Sequence, residues 1–149
     1  MHVLLTFTGF HDPYCASVVD GKQQAGPIMS ILEARPFGAV VLFNTPGAAK
    51  HTAATTDAIK RCYPKMPVEV KEFSDLHDPT DHVLILRHLR RHIRTILNSY
   101  PEASLFISIA SGTPSMHACW LLLVAEGTLP ARILSVSYTH LTLPTIYPV

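Results

Sequence analysis

The chain is poor in charge and has no surplus of either sign: charged residues make up 15% of its 149 positions and the formal net charge is +1. Lysines and arginines are scattered apart from one cluster, so duplex nucleic acid, which asks for a long phosphate-neutralising surface, is not the expected partner. Cysteines are also few. Cys15, Cys62 and Cys119 are odd in number and contain no C-x-x-C pair, which gives no sign of a disulfide framework. No apolar leader opens the sequence, and the longest apolar stretch, around Ala118 to Ala125, falls far short of the roughly 20 residues that span a membrane. The expectation is a cytoplasmic, reduced protein without a membrane segment. The nine histidines form no H-E-x-x-H and join no cysteine at zinc-finger spacing, so neither a metal nor a cofactor is expected. A P-loop, a G-x-G-x-x-G fingerprint and a G-x-S-x-G elbow are missing too, which removes the usual arguments for a nucleotide hydrolase, a dinucleotide enzyme or a serine hydrolase.

What is present is apolar content, 48% of residues, enough for one core and one domain. Val3 to Phe7 (VLLTF), Ala39 to Phe43 (AVVLF) and Leu105 to Ala110 (LFISIA) are short continuous apolar runs, as in strands buried on both faces of a parallel sheet. Val68 to Phe73 (VEVKEF) alternates, as a half-exposed strand nearer an edge does. Between these runs the period changes to helical. Pro27 opens a helix that Pro36 ends; Ala48 to Cys62 forms another; a long one follows Asp78-Pro79-Thr80-Asp81, with Val83, Leu86, Leu89, Ile93 and Leu97 as its apolar stripe. Asp78 and Asp81 are expected as helix caps. Arg87, Arg90, Arg91 and Arg94, with His88 and His92 interleaved, read as that helix's solvated face. A very apolar helix runs from about Ser115 to Glu126, with Cys119 and Trp120 in the core, and Ala131 begins a further strand. Thr8 to Pro27 has no sustained period and reads as a long loop. Strands alternating with helices predict an α/β fold: a mainly parallel, three-layer sheet with right-handed crossovers.

Such sheets bind ligands beyond the carboxyl ends of their strands, where loops meet helix N-termini. Three loops qualify: Thr8, Gly9, Phe10, His11 and Asp12; then Asn44, Thr45, Pro46 and Gly47; then Ser111, Gly112, Thr113 and Pro114. The third offers two hydroxyls, a glycine for close backbone approach and helix-start amides, which suits a phosphate or a ribose. It equally suits a plain strand-to-helix turn capped by Thr113 or Ser115. His11, Asp12 and His117 form an acid–base set if the first and third loops adjoin; a packed histidine is the simpler account of His117.

Ser108 to Leu134, S-I-A-S-G-T-P-S-M-H-A-C-W-L-L-L-V-A-E-G-T-L-P-A-R-I-L, resembles the corresponding block of RtcR-type bacterial transcription regulators, where a strand ends in a T-G-T-like loop and leads to a helix with C-W and then L-P-A-R. Here the loop is S-G-T, which keeps a hydroxyl in first position. The T-G-F-H-D-P segment (Thr8 to Pro13) and the D-P-x-D helix opening (Asp78 to Asp81) are similar as well, so the resemblance covers Met1 to Leu134. It implies a Rossmann-like CARF domain that dimerises and binds an RNA-derived ligand, a cyclic oligoadenylate or an RNA end with a cyclic phosphate. Complete regulators of this kind continue into an ATPase module that contacts RNA polymerase with an alternative sigma factor, and into a DNA-binding module, to switch on RNA-repair genes. The resemblance carries ligand binding to Thr8–Asp12 and Ser111–Pro114, with Met116 and His117 beside them. Some CARF domains cleave their cyclic ligand; that ring-nuclease alternative would draw on Ser111, Thr113, His11 and His117. An unrelated small-nucleotide α/β enzyme is a third reading, on fold grounds alone.

From Val136 to Thr145 the run V-S-Y-T-H-L-T-L-P-T matches a translated frame of a common transposase sequencing adapter. Residues 135–149 are therefore expected to be a non-native tail and 1–134 the domain, with no functional weight on Tyr138, His140 or Tyr147.

Overall fold

In the computed structural model, which describes residues 1–19, 21–136 and 144–147, the three continuous apolar runs lie side by side at the centre of one sheet. β1 (His2–Phe7) pairs in parallel with β4 (Ala39–Asn44) on one side and β6 (Ser104–Ser108) on the other. β5 (Val68–Glu72) continues from β4, and β7 (Ala131–Val136) from β6, both parallel. Pro144–Tyr147 adds an antiparallel edge strand, β8, against β7. The order β5-β4-β1-β6-β7-β8 explains the sequence patterns directly. Central strands are buried on both faces and need continuous apolar side chains, while β5 sits at an edge and tolerates Glu69 and Lys71, which pair with each other at 2.5 Å.

Four helices complete three layers: α1 (Pro27–Ala34), α2 (Ala49–Cys62), α3 (His82–Ser99) and α4 (Pro114–Ala125). α1 and α2 pack Ile28, Ile31, Leu32 and Ile59 on one face of the sheet, against Leu4, Val40, Leu42 and Phe106. α3 and α4 pack Ile85, Leu89, Ile93, Trp120 and Leu123 on the other face, against Val3, Leu5, Phe7, Val41, Phe43 and Ile107. No helix among the described residues is long and apolar enough to cross a membrane.

Four expectations need correction. The stretch after β1 is not a plain loop: Tyr14–Val19 (β2) and Lys22–Ala25 (β3) pair as an antiparallel hairpin with a register shift along it. The bulge breaks the two-residue alternation that would have announced the strands. The buried side of α3 is Ile85, His88, Leu89, Ile93 and Ile96, rotated from the expected stripe, and Val83 is 68% exposed. His88 and His92 are accordingly not part of the solvated face. His88 Nε2 lies 2.6 Å from Asp75 Oδ1, and His92 stacks on Phe73 with its Nε2 at 3.1 Å from the Glu72 carbonyl. Burial pushes the His92 imidazole below its ordinary value. Finally, Asp81 caps α3, accepting from the Leu84 amide, but Asp78 does not: it accepts from the amide and hydroxyl of Thr80 at 2.9 and 2.6 Å, holding a turn. Of the expected tail, residues 137–143 and 148–149, with Tyr138 and His140, lie outside the described residues, as does the side chain of Tyr147.

Candidate functional site

From β1 the chain winds outward through β4 to β5, crosses over α3, and winds outward again through β6 and β7. The order therefore reverses between β1 and β6, and the loops leaving their carboxyl ends flank the crevice that this reversal opens. A pocket of about 310 Å3 occupies it, at the small end of the usual ligand-site range.

Asp12 joins the two sides of that crevice. It is 1% exposed. Its Oδ2 accepts from the Gly9 amide at 2.9 Å and from the Ser111 hydroxyl at 2.7 Å, and its Oδ1 accepts from the Ile28 amide, in the first turn of α1, at 3.0 Å. One carboxylate thus ties the β1 loop, the start of α1 and the β6 loop. Burial raises its pKa above the ordinary 3.8, and the Ser111, Ile28 and Gly9 donors and nearby His11 offset that in part. With Asp12 ionised, the Ser111 proton is committed to it, so Ser111 meets a ligand as an acceptor. The Asp12–Pro13 peptide is cis.

The β6 loop is shaped by Gly112, at φ 99°. A Cβ there would meet Met116 Sδ at 2.8 Å and Phe7 Cβ at 3.2 Å, so only glycine brings the backbone this close to β1. Thr113 caps α4, its hydroxyl accepting from the Met116 amide at 3.3 Å. The same hydroxyl donates to the Pro79 carbonyl at 2.6 Å, so the Asp78 turn seats the β5–α3 connection on the rim. His117 Nε2 lies 2.9 Å from the Ser111 carbonyl.

Most sequence-chosen residues meet here: Thr8 through Asp12, Thr45, Ser111, Gly112, Thr113 and Met116 all line the pocket. Asn44, Pro114 and His117 do not. The Asn44 side chain turns away, donating to Glu72 at 2.9 Å and accepting from Thr52 at 2.6 Å. Nor do His11, Asp12 and His117 form an acid–base set, because Asp12 is held by Ser111 and His117 by the Ser111 backbone. Leu76, His77 and Pro79, and Pro27 of α1, also line the pocket and were not foreseen. Nothing in their spacing marks them; the place of β5 beside β4 brings in Leu76, His77 and Pro79, and the bond from Ile28 to Asp12 that seats α1 brings in Pro27.

Two residues of the pocket bear on what could bind there. Thr8 is 4% exposed, and its hydroxyl has no hydrogen-bond partner among the described residues, although a buried hydroxyl left so costs about 1–3 kcal/mol. Phe10 is 70% exposed at the mouth, its ring meeting only His51, edge-on at 5.4 Å. Among the described residues no lysine or arginine lines the pocket, and Asp12 is its one carboxylate.

No protein-family model and no curated protein matches the chain. Solved structures do. Enterococcus italicus Csm6 bound to cyclic hexa-2'-fluoro-hexa-dAMP matches with a TM-score of 0.82 at 16% identity, over 100% of this chain and 42% of that one. Can2 from Sulfobacillus thermosulfidooxidans in complex with cyclic tetra-adenylate matches with a TM-score of 0.62, also at 16% identity, over 92% of this chain and 32% of that one. The likeness shows the fold, a Rossmann-like parallel α/β sheet flanked by helices. The chain spans less than half the length of either protein.

Proposed function

We propose that this domain is a sensor for an RNA-derived nucleotide, a cyclic oligoadenylate or an RNA end with a cyclic phosphate, held at the carboxyl edge of the sheet. The observation that carries the reading is the unpartnered Thr8 hydroxyl in a pocket placed at the reversal of strand order. A ligand that enters the pocket can give this hydroxyl the partner it lacks among the described residues. The polarity of the floor says which part of a nucleotide enters. Asp12 and Ser111 both present acceptors, and no lysine or arginine among the described residues lines the walls, so the floor suits sugar hydroxyls or a base amino group. Phosphates belong at the mouth, near His11 and His77, with the Phe10 ring available for stacking. The two similar structures, bound to cyclic adenylates, support the ligand class.

A pocket of about 310 Å3 suits a nucleoside monophosphate, with about two dozen non-hydrogen atoms, better than a whole ring. A cyclic ligand is then shared between two copies. The outer face of α4 supports this: Ala118, Leu121, Leu122 and Ala125 are exposed, following one another at helical spacing without a charge. Leu121 is 45% and Leu122 47% exposed. A helix apolar all round is a buried helix, and here a second copy supplies the cover, beside the Thr113 end that borders the pocket. Residues 1–134 form the sensing unit in this reading, and residues 135–149 take no part. The output is control of an attached activator that works with RNA polymerase and an alternative sigma factor on RNA-repair genes.

Turnover is the second reading, favoured by one observation: the His11 imidazole lines the pocket at its mouth, where the phosphates would lie. A ligand 2'-hydroxyl would give its proton to His11 and its oxygen would attack phosphorus. The bond to the 5'-oxygen would break, leaving a cyclic phosphate and a 5'-hydroxyl protonated from water. The test is incubation with cyclic tetra- and hexa-adenylate and with RNAs bearing cyclic-phosphate ends, following retention and products together. Retention of unchanged ligand supports sensing, retention with linear products establishes turnover, and no retention of any of them overturns both.

A further inference from the structure

At the opposite edge of the sheet, where β1, β6 and β7 begin, lies a cleft of about 520 Å3 that the proposed function does not use. We propose that it is a second ligand site, which takes the phosphate group of a small phosphorylated molecule. Its chemistry comes from two arginines set by the strand register. Phe106 pairs with Arg132 across β6 and β7, and residues paired in a parallel sheet project on the same face. Arg35, the residue that ends α1, lays its guanidinium over the Phe106 ring at 4.8 Å from the centroid. Arg132 therefore projects on the same face of the sheet as Phe106, and both arginines line the cleft. His2 stands against the same ring at 4.9 Å, and Ser104, level with His2 across β1 and β6, adds a hydroxyl to the rim.

Among the described residues no aspartate or glutamate lines the cleft, and neither arginine takes part in a described salt bridge. In a chain of net charge +1, this is a local concentration of positive charge without a counter-ion among the described residues. Phe106 is almost wholly buried, so the Arg35 guanidinium lies over a fixed ring and has less side-chain entropy to lose on binding. Two such donors around a concave surface match a phosphate, which accepts bidentate bonds from each. The sheet itself separates this cleft from the pocket at the carboxyl edge, so the two can be occupied independently.

The test is amide chemical-shift titration of the whole chain with inorganic phosphate, pyrophosphate and adenosine monophosphate, for wild type, R35Q/R132Q and R35K. The expected result is saturable shifts at residues 104–106 and 131–132 while residues 8–12 and 111–113 stay still, with affinity about tenfold or more lower in the double variant. R35K keeps the charge but loses the planar fork, and is expected to fall between. Unchanged amide spectra elsewhere, and an unchanged melting temperature, show that the variants fold. Tighter binding of adenosine monophosphate than of inorganic phosphate identifies a nucleotide as the source, and equal binding identifies free phosphate; either supports the site. No saturable shift at residues 104–106 and 131–132 with any of the three probes, or equal affinity in the double variant, overturns it. This outcome is independent of ligand retention at the carboxyl edge.

Discussion

Because one carboxylate ties three segments together, Ser111→Ala and Asp12→Asn are expected to behave as two halves of one interaction. Ser111→Ala removes the hydroxyl that donates to Asp12 at 2.7 Å, a bond to a charged group worth about 1.5–3 kcal/mol. Asp12→Asn keeps the size but places an amide where one side of the carboxylate accepted. Either the Gly9 amide and Ser111 hydroxyl or the Ile28 amide then faces a donor, at about 1–3 kcal/mol for each donor left unpaired. The double variant should be less damaged than the sum, by about 1 kcal/mol or more. Urea unfolding at fixed protein concentration reads this as midpoint shifts at constant slope; the Ser111→Ala shift corresponds to roughly 5 °C in melting temperature for a domain of this size. The sign of the pH dependence follows from burial. A carboxyl whose pKa is raised in the folded state contributes its stability fully below about pH 3.8 and loses it as pH rises through the folded value. Asp12→Asn has no such titration, so the gap between wild type and variant should narrow as pH rises above about 4 and through the raised folded value. Additive effects, a Ser111→Ala change under about 0.5 kcal/mol, or a gap that widens with pH refutes the strap.

Thr8→Val removes a hydroxyl that has no partner, so stability should hold or rise by up to about 1 kcal/mol while retention of the nucleotide ligand is lost; a destabilised variant would mean that the hydroxyl is satisfied within the protein. Gly26→Ala would put a methyl 1.8 Å from the His11 carbonyl oxygen, which should cost about 1–3 kcal/mol or more in urea. Leu121→Glu with Leu122→Glu should leave the monomer fold intact and shift sedimentation from dimer to monomer, since both side chains are half exposed; unchanged sedimentation removes α4 from the interface.

The central strands were legible because strands buried on both faces have little compositional freedom: VLLTF, AVVLF and LFISIA are too short and too apolar for another element; their order, with its reversal between β1 and β6, was not. The pocket loops were legible for the same reason, since each follows one of those strands. α3 was placed correctly but turned wrongly. Residues 83 to 86 are all apolar, so the sequence offers two overlapping stripes, and only contact with Phe73 and Phe43 selects the one through Ile85, Leu89 and Ile93. Asp12 looked like a loop carboxylate because its three partners, at residues 9, 28 and 111, are distant in sequence, and no local pattern encodes a bond that spans 99 residues. The rim residues Leu76, His77 and Pro79 were missed for the same cause.

The aromatic packing under the crevice makes the protein its own optical probe. Trp120 is the one tryptophan of the chain. It is fully buried, with its ring 5.8 Å from Phe7 and 5.3 Å from Phe43, and Phe7 immediately precedes Thr8 of the pocket floor. Emission from this single indole should be blue in the folded state. Any ligand that moves the floor by shifting Phe7 changes the surroundings of that indole, so occupancy can be followed in unlabelled protein by the colour and intensity of one residue.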